Sequence, residues 1–262
     1  MIARMARPLI LVVVIMLVAC TASVPVADMP SPTAVVPTIT PSALPTSTTA
    51  PTVAAPTAAL PTAALPTVTA VPATKVPVVT YRGALVGRDA NGAYTLGDPA
   101  APLTLTDYSD FLCSVCRRHV LTVEPALIER YVVTGRVLYV FRPVLNHGAA
   151  SLITTAAAFC AGEQDAFWPM HELLFERQGE VALTRDSDLP ALMRSYAADL
   201  GFAIEPFDAC MNDGVAQRLA ETLDAEQRQR GIRVQPVFEI GDVRLVGLQT
   251  LERFASLIER QP

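Results

Sequence analysis

Apolar and polar residues alternate along Leu103-Thr-Leu-Thr-Asp-Tyr108, the two-residue period of a half-buried strand. From Cys113 to Tyr131 the apolar positions recur at helical spacing, and Gly135 closes that segment. Val137-Leu-Tyr-Val-Phe141 is a short apolar run and reads as a buried strand. From Gly148 to about Arg230 the pattern is helical again, divided by Gly162, Gly179, Pro190, Gly201, Pro206 and Gly214. Val237–Ile240 and Val243–Val246 flank a Gly241-Asp242 turn and form a hairpin. Leu248 to Arg260 is a closing amphipathic helix. Upstream, Thr80–Thr95 holds Gly83, Gly87 and the Asn91-Gly92 turn signal of a short hairpin, and Gly97-Asp98-Pro99 breaks the chain after it. The order βαβ, a block of helices, then ββα predicts an α/β fold: a central mixed sheet flanked by helices, with a helical insertion at about 146–230.

Composition divides the chain before that pattern begins. Of 22 prolines, 12 lie between Val24 and Val78, where Asp28 and Lys75 are the only charges. Proline recurs every fifth residue at Pro51, Pro56, Pro61 and Pro66, which forbids a continuous helix, and no aromatic side chain is present to nucleate a core. Residues 20–78 therefore read as a disordered linker of polyproline-II character, leaving 79–262 as one folded domain. Ahead of the linker, Arg4 and Arg7 precede 11 apolar residues, Leu9–Ala19. A membrane-spanning helix needs about 20, so 1–19 reads as an export signal. The run ends Leu17-Val-Ala-Cys20, which resembles the lipobox of bacterial lipoproteins. That resemblance implies lipidation of Cys20 and an extracytoplasmic protein anchored to a bilayer. An ordinary secretory signal with an incidental cysteine is the alternative.

Charge excludes one class of partner. From Val79 onward the chain has 17 basic and 24 acidic residues and no basic run, so it carries no nucleic-acid footprint. The cysteines carry the candidate chemistry. Cys113-Ser-Val-Cys116 follows a strand and opens a helix. Amides and dipole at a helix start stabilise a thiolate, and the i, i+3 spacing sets both sulfurs on one face. Cys113 is then the nucleophile and Cys116 the resolving thiol. A structural zinc site needs a second such pair, whereas Cys160 and Cys210 are single, so no metal is assigned. His171-Glu-Leu-Leu-Phe175 begins like a zinc-protease helix but has Phe175 where the second histidine belongs. A purely structural Cys113–Cys116 disulfide remains open. Arg117, Arg118 and His119 read as a solvated face, with Arg117 adding positive potential near Cys113. Phe159, Phe167, Trp168 and Phe175 read as core of the helical block.

Several ordered motifs together give a more specific reading. They are Leu96-Gly-Asp-Pro-Ala-Ala-Pro-Leu-Thr-Leu105, Ser109-Asp-Phe-Leu-Cys-Ser-Val-Cys-Arg-Arg118, Ala157-Ala-Phe-Cys-Ala-Gly-Glu-Gln-Asp-Ala-Phe-Trp168, Phe207-Asp-Ala-Cys210 and Gly231-Ile-Arg-Val-Gln-Pro-Val-Phe238. From Gly97 to about Arg260 the chain resembles the DsbA-like thiol:disulfide oxidoreductases of the thioredoxin superfamily. The resemblance implies a thioredoxin fold with a sheet of four or five strands and a helical domain inserted after the second core strand. It implies that Pro236 is a cis-proline facing the cysteine pair, with Gln235 binding a substrate strand; a simple strand entry is the alternative for Pro236. It implies that Asp107 is a buried acid exchanging a proton with Cys116. The residues themselves also allow Asp107 to face solvent while Asp110 caps the helix. Cys160 and Cys210 match cysteines of a subset of the family, and an oxidising compartment favours pairing them over two free thiols. Two positions depart from the family: Ser114-Val115 replaces the Pro-His of strong oxidants, and Gln235 replaces Val or Thr.

The function so implied is an enzyme that donates disulfides to reduced exported client proteins and is reoxidised by a quinone-linked membrane thiol oxidase. Its cysteine pair is the redox couple, so no organic cofactor is required. A tethered reductase or isomerase of the same fold is one alternative. A non-catalytic binding or copper-chaperone module is another, since thiolates suit Cu(I), although no Met- or His-rich patch adjoins the pair.

Overall fold

A computed structural model describes residues 78–260. The export signal, Cys20 and the linker as far as residue 77 lie outside the described residues. At the centre, Leu103–Ser109 (β4) and Val137–Pro143 (β5) pair in parallel, with Leu103 opposite Val137 and Ser109 opposite Pro143. Val237–Ile240 (β6) pairs antiparallel with β4, and Val243–Val246 (β7) closes that side. On the other side stand Tyr94–Leu96 (β3), Ala84–Arg88 (β2) and Thr80–Tyr81 (β1), all antiparallel.

Among the described residues the sheet therefore has seven strands, ordered β1-β2-β3-β5-β4-β6-β7, rather than four or five. The extra strands come from two reversals in the segment expected to form one hairpin. Arg82 and Gly83 take positive φ (50° and 85°) and fold β1 onto β2. Asp89 Oδ1 accepts the Asn91 and Ala93 amides at 2.9 Å each and folds β2 onto β3.

The helix expected over Cys113–Tyr131 is broken. Ser114–Thr122 (α1) gives way at Val123 to Glu124–Leu127 (α2) and then to a π-helical turn, Ile128–Val132. Pro125 is the reason: it has no N–H to donate to the preceding turn and is tolerated only at a helix start. The last helix, Leu251–Ile258 (α9), begins later than Leu248 because Thr250 caps it, its hydroxyl accepting the Arg253 amide at 3.3 Å.

Between β5 and β6 lies the helical block. It comprises Ala149–Gly162 (α3), Phe167–Glu176 (α4), Gln178–Leu183 (α5), Leu189–Asp199 (α6), Ile204–Asp213 (α7) and Val215–Gln229 (α8). Phe159, Phe167 and Trp168 are buried against Tyr94, Phe141 and Tyr139 of the sheet, and Phe175 is buried against Phe111. Tyr94 of β3 stacks on Phe167 with ring centroids 4.1 Å apart and gives its hydroxyl proton to the Phe159 carbonyl at 2.9 Å. Only glycine at position 162 leaves room for that ring, since a Cβ there would overlap it. Cys160 of α3 and Cys210 of α7 are disulfide-bonded, with Cα atoms 5.6 Å apart.

Candidate active site

Strand β4 alternates Leu103, Leu105, Asp107 and Ser109 onto one buried face, so Asp107 points inward in the row of the two leucines. The chain then turns through Asp110-Phe-Leu. The Cys113 amide donates to the Asp110 carbonyl at 2.9 Å, and Asp110 Oδ1 accepts the Leu112 amide at 2.9 Å. Asp110 does not cap α1; Cys113 does. Its backbone is extended (φ −81°, ψ 116°) and its sulfur accepts the Cys116 amide at 3.3 Å. Cys113 and Cys116 are unbonded; Cys113 keeps 8% of its surface exposed and Cys116 none.

This placement separates the two thiols. A hydrogen bond from the Cys116 thiol, with further bonds from the Cys116 and Val115 amides, lowers the Cys113 pKa to about 6 against the cost of its burial. Burial raises the Cys116 thiol far above its ordinary value, and the Cys113 and Asp107 charges push it the same way. Of the two, Cys113, the less buried cysteine, is the one set to ionise.

Gln235–Pro236 is a cis peptide, and the Gln235 carbonyl lies 3.9 Å from the Cys113 sulfur. Asn146, just after β5, reaches across to this loop: its side-chain amide donates to the Arg233 carbonyl at 3.1 Å and to the Gln235 side chain. Arg117 and Arg118 are exposed, and Arg117 is engaged with the helical block, donating to the Phe175 carbonyl at 2.8 Å.

Beneath the cysteines is a buried polar group. Asp107 is fully buried; Ser109 donates to its Oδ1 at 2.6 Å and Tyr139 lies 3.0 Å from its Oδ2. Burial raises the Asp107 pKa to about 7, opposed by those two hydrogen bonds. The Tyr139 hydroxyl also lies 2.9 Å from Glu124 Oε2 and 3.4 Å from His119 Nε2. His119 is buried, not solvent-facing as the sequence suggested, and packs on Phe238 and Phe254; burial depresses its pKa to about 3, so it is neutral. Asp107, His119 and Glu124 bring one donor atom each within 4.8 Å of one another, as a metal site would. Tyr139 bridges the two carboxyls from within that set, so the group is a hydrogen-bond cluster.

Sequence reasoning missed Glu124, Tyr139, Asn146 and Gln178. Counting from Cys116, the positions 119, 120, 123, 124 and 127 form one helical stripe, so His119 and Glu124 stand at apolar positions, a legible signal. Gln178 of α5 donates to the carbonyls of Phe111 (2.7 Å) and Cys113 (3.0 Å), holding the turn before α1. Asp110 Oδ2 accepts from the Asn146 amide (2.9 Å), His147 Nδ1 (2.8 Å) and Ser151 (2.8 Å). These contacts join loops distant in sequence and left no local signal. His171 takes no part in a metal motif; it is buried among Phe111, Phe141, Phe167, Trp168 and Phe175.

A thioredoxin family model matches residues 89–260. The Na(+)/H(+) antiporter NhaA 1 of Salinispora arenicola is 29% identical over 177 residues, 66% of this chain and 25% of that protein. Disulfide bond formation protein D of Bacillus subtilis is 29% identical over 92 residues, 34% of this chain and 41% of that protein. The chain thus spans a quarter to two fifths of the length of these relatives. Among solved structures, alpha-DsbA1 of Wolbachia pipientis superposes with a TM-score of 0.58 at 22% identity, covering 66% of this chain and 92% of that one.

Proposed function

Since the chain belongs to the thioredoxin family, in the DsbA-like form with a helical block set into the sheet, we propose that it is a thiol:disulfide oxidoreductase that donates the Cys113–Cys116 disulfide to exported proteins. A reduced client's thiolate attacks the Cys113 sulfur, the bond to Cys116 breaks, and Cys116 leaves with the electron pair. The client, now in mixed disulfide with Cys113, rests against the Gln235-Pro236 loop. A second client thiolate attacks the client sulfur of that bond, and Cys113 leaves as a thiolate. The client is oxidised by two electrons and the cysteine pair reduced by two, so no organic cofactor enters. A quinone-linked membrane thiol oxidase would restore the disulfide, and acylated Cys20 would hold the protein at the bilayer. No helix among the described residues is long and apolar enough to cross a membrane.

One observation carries this reading: the less buried of the two cysteines, beside the cis-proline loop, is the one with the lowered pKa. A thiol stable as thiolate is a good leaving group, which favours the reduced enzyme and hence donation of its disulfide. The experiment is the reduction potential of the pair, measured by equilibration in glutathione buffers with thiol trapping. Known couples run from about −120 mV for a strong oxidant to about −270 mV for thioredoxin. We expect a value in the upper half of that range, and no mixed disulfide in Cys113→Ser. A value near thioredoxin's would replace donation by reduction.

A further inference from the structure

The Tyr139 hydroxyl has one proton to give and two carboxyl oxygens within hydrogen-bond distance, Asp107 Oδ2 at 3.0 Å and Glu124 Oε2 at 2.9 Å. An ionised carboxylate only accepts. If Tyr139 donates to one, the other must itself carry a proton and donate to the phenol oxygen. The bridge therefore needs a proton on at least one of Asp107 and Glu124, and it persists when both carry one, since a protonated carboxyl still has an acceptor oxygen. Both carboxyls are buried, as is Tyr139. Burial outweighs the one countercharge that acts on Glu124, the Arg82 guanidinium, whose effect is the smallest of those on that carboxyl. His119 and His171 are both neutral through burial, His171 Nδ1 lying 3.9 Å from Glu124 Oε1. Glu172 of α4 lies on the solvent side and is engaged by the Tyr81 hydroxyl and Arg82. From the active site, the Cys113 charge raises Asp107 and the Asp107 charge raises Cys116. Trp168 packs on Tyr139 and Phe238 on His119, closing the cluster with apolar surface.

We propose that Glu124 is the proton reserve for Cys116, connected to Asp107 through the Tyr139 hydroxyl. The proposal rests on the thiol-exchange reading above. Both carboxyls start protonated; when Cys116 leaves as a thiolate, Asp107 gives it a proton and becomes a carboxylate. Tyr139 then passes its proton to Asp107 and takes the one on Glu124. The sum is a protonated Cys116, a protonated Asp107 and an ionised Glu124, with no change in electron count; reoxidation runs the same transfers backwards. Glu124 and Tyr139 are positioning residues, since they reach the sulfur only through Asp107. Their effect is to return a proton to Asp107 after it has given one to Cys116.

The test compares the full chain with Glu124→Gln and Tyr139→Phe by NMR titration of the buried carboxyls, alongside stopped-flow reduction of the Cys113–Cys116 disulfide by a thiol peptide across pH. In wild type the Asp107 and Glu124 resonances should titrate together, as interacting sites do. In Glu124→Gln, Asp107 should titrate alone and at lower pH, because a neighbouring negative charge is gone. Tyr139→Phe should uncouple the two. Both variants should slow reduction about tenfold near neutral pH, less than the roughly 10²–10⁴ that a directly acting acid supplies. An Asp107 resonance that titrates alike in all three proteins, with unchanged rates, overturns the relay. If Glu124→Gln does not fold, Tyr139→Phe, which keeps the packed ring, decides alone. Coupled carboxyls in a wild type that exchanges no thiols would sink the functional reading; an active wild type with uncoupled carboxyls would sink only the relay.

Discussion

Cys113 and Cys116 share one helical turn, yet one ionises readily and the other scarcely at all. The difference is local: Cys113 receives hydrogen bonds from the start of α1, whereas Cys116 is buried beneath it. Iodoacetamide should therefore modify Cys113 alone. Its rate should be flat above a midpoint of about pH 6 and fall about tenfold per pH unit below it, since only the thiolate reacts. A midpoint near an ordinary thiol's, or equal labelling of Cys116, would remove the electrostatic basis for the site. At this scale the sequence told most where spacing was local. The pair itself, and Asp107 two positions beyond Leu105 on one strand face, could be read from the chain. His119 and Glu124 stand at apolar positions of one helical stripe, but a polar residue at such a position does not by itself reveal its burial. Their burial depends on Tyr139 of β5, which no local pattern connects to α1.

Strands and helices were legible in kind, because their periods are written in apolar spacing. Their interruptions were not, because those depend on single residues: Pro125 splits the active-site helix, Thr250 delays the last one, and Arg82-Gly83 adds a strand pair. The helical block also holds a crosslink between α3 and α7, with 50 residues separating Cys160 from Cys210. Closing a loop of that size removes unfolded-chain entropy worth about 4 kcal/mol. Replacing both cysteines by alanine should lower the urea stability by about that amount while leaving Cys113 alkylation unchanged. Separate migration of the Cys160 and Cys210 peptides without reductant would contradict the bond itself.

For the whole molecule, the sequence reading assigns a lipid anchor, a linker and one catalytic domain, of which residues 78–260 are described. Cells grown with labelled palmitate should incorporate label into this protein, and Cys20→Ala should abolish it; label that survives the substitution excludes Cys20 as the anchor. Within the domain, the helical block is strung between two joints, the end of β5 and the start of β6. Asn146 belongs to the first joint and Gln235 to the second, and they are hydrogen-bonded to each other. Asn146 and His147 also hold Asp110, and Gln235 faces the Cys113 sulfur. The two joints of the block and the surroundings of Cys113 are thus formed by the same few residues. Any rigid swing of the block about its joints must widen or narrow the space in front of Cys113. On the proposed function, a client strand lodged against Gln235 would press on the second joint, so that grip on the client and posture of the block would be one mechanical coordinate.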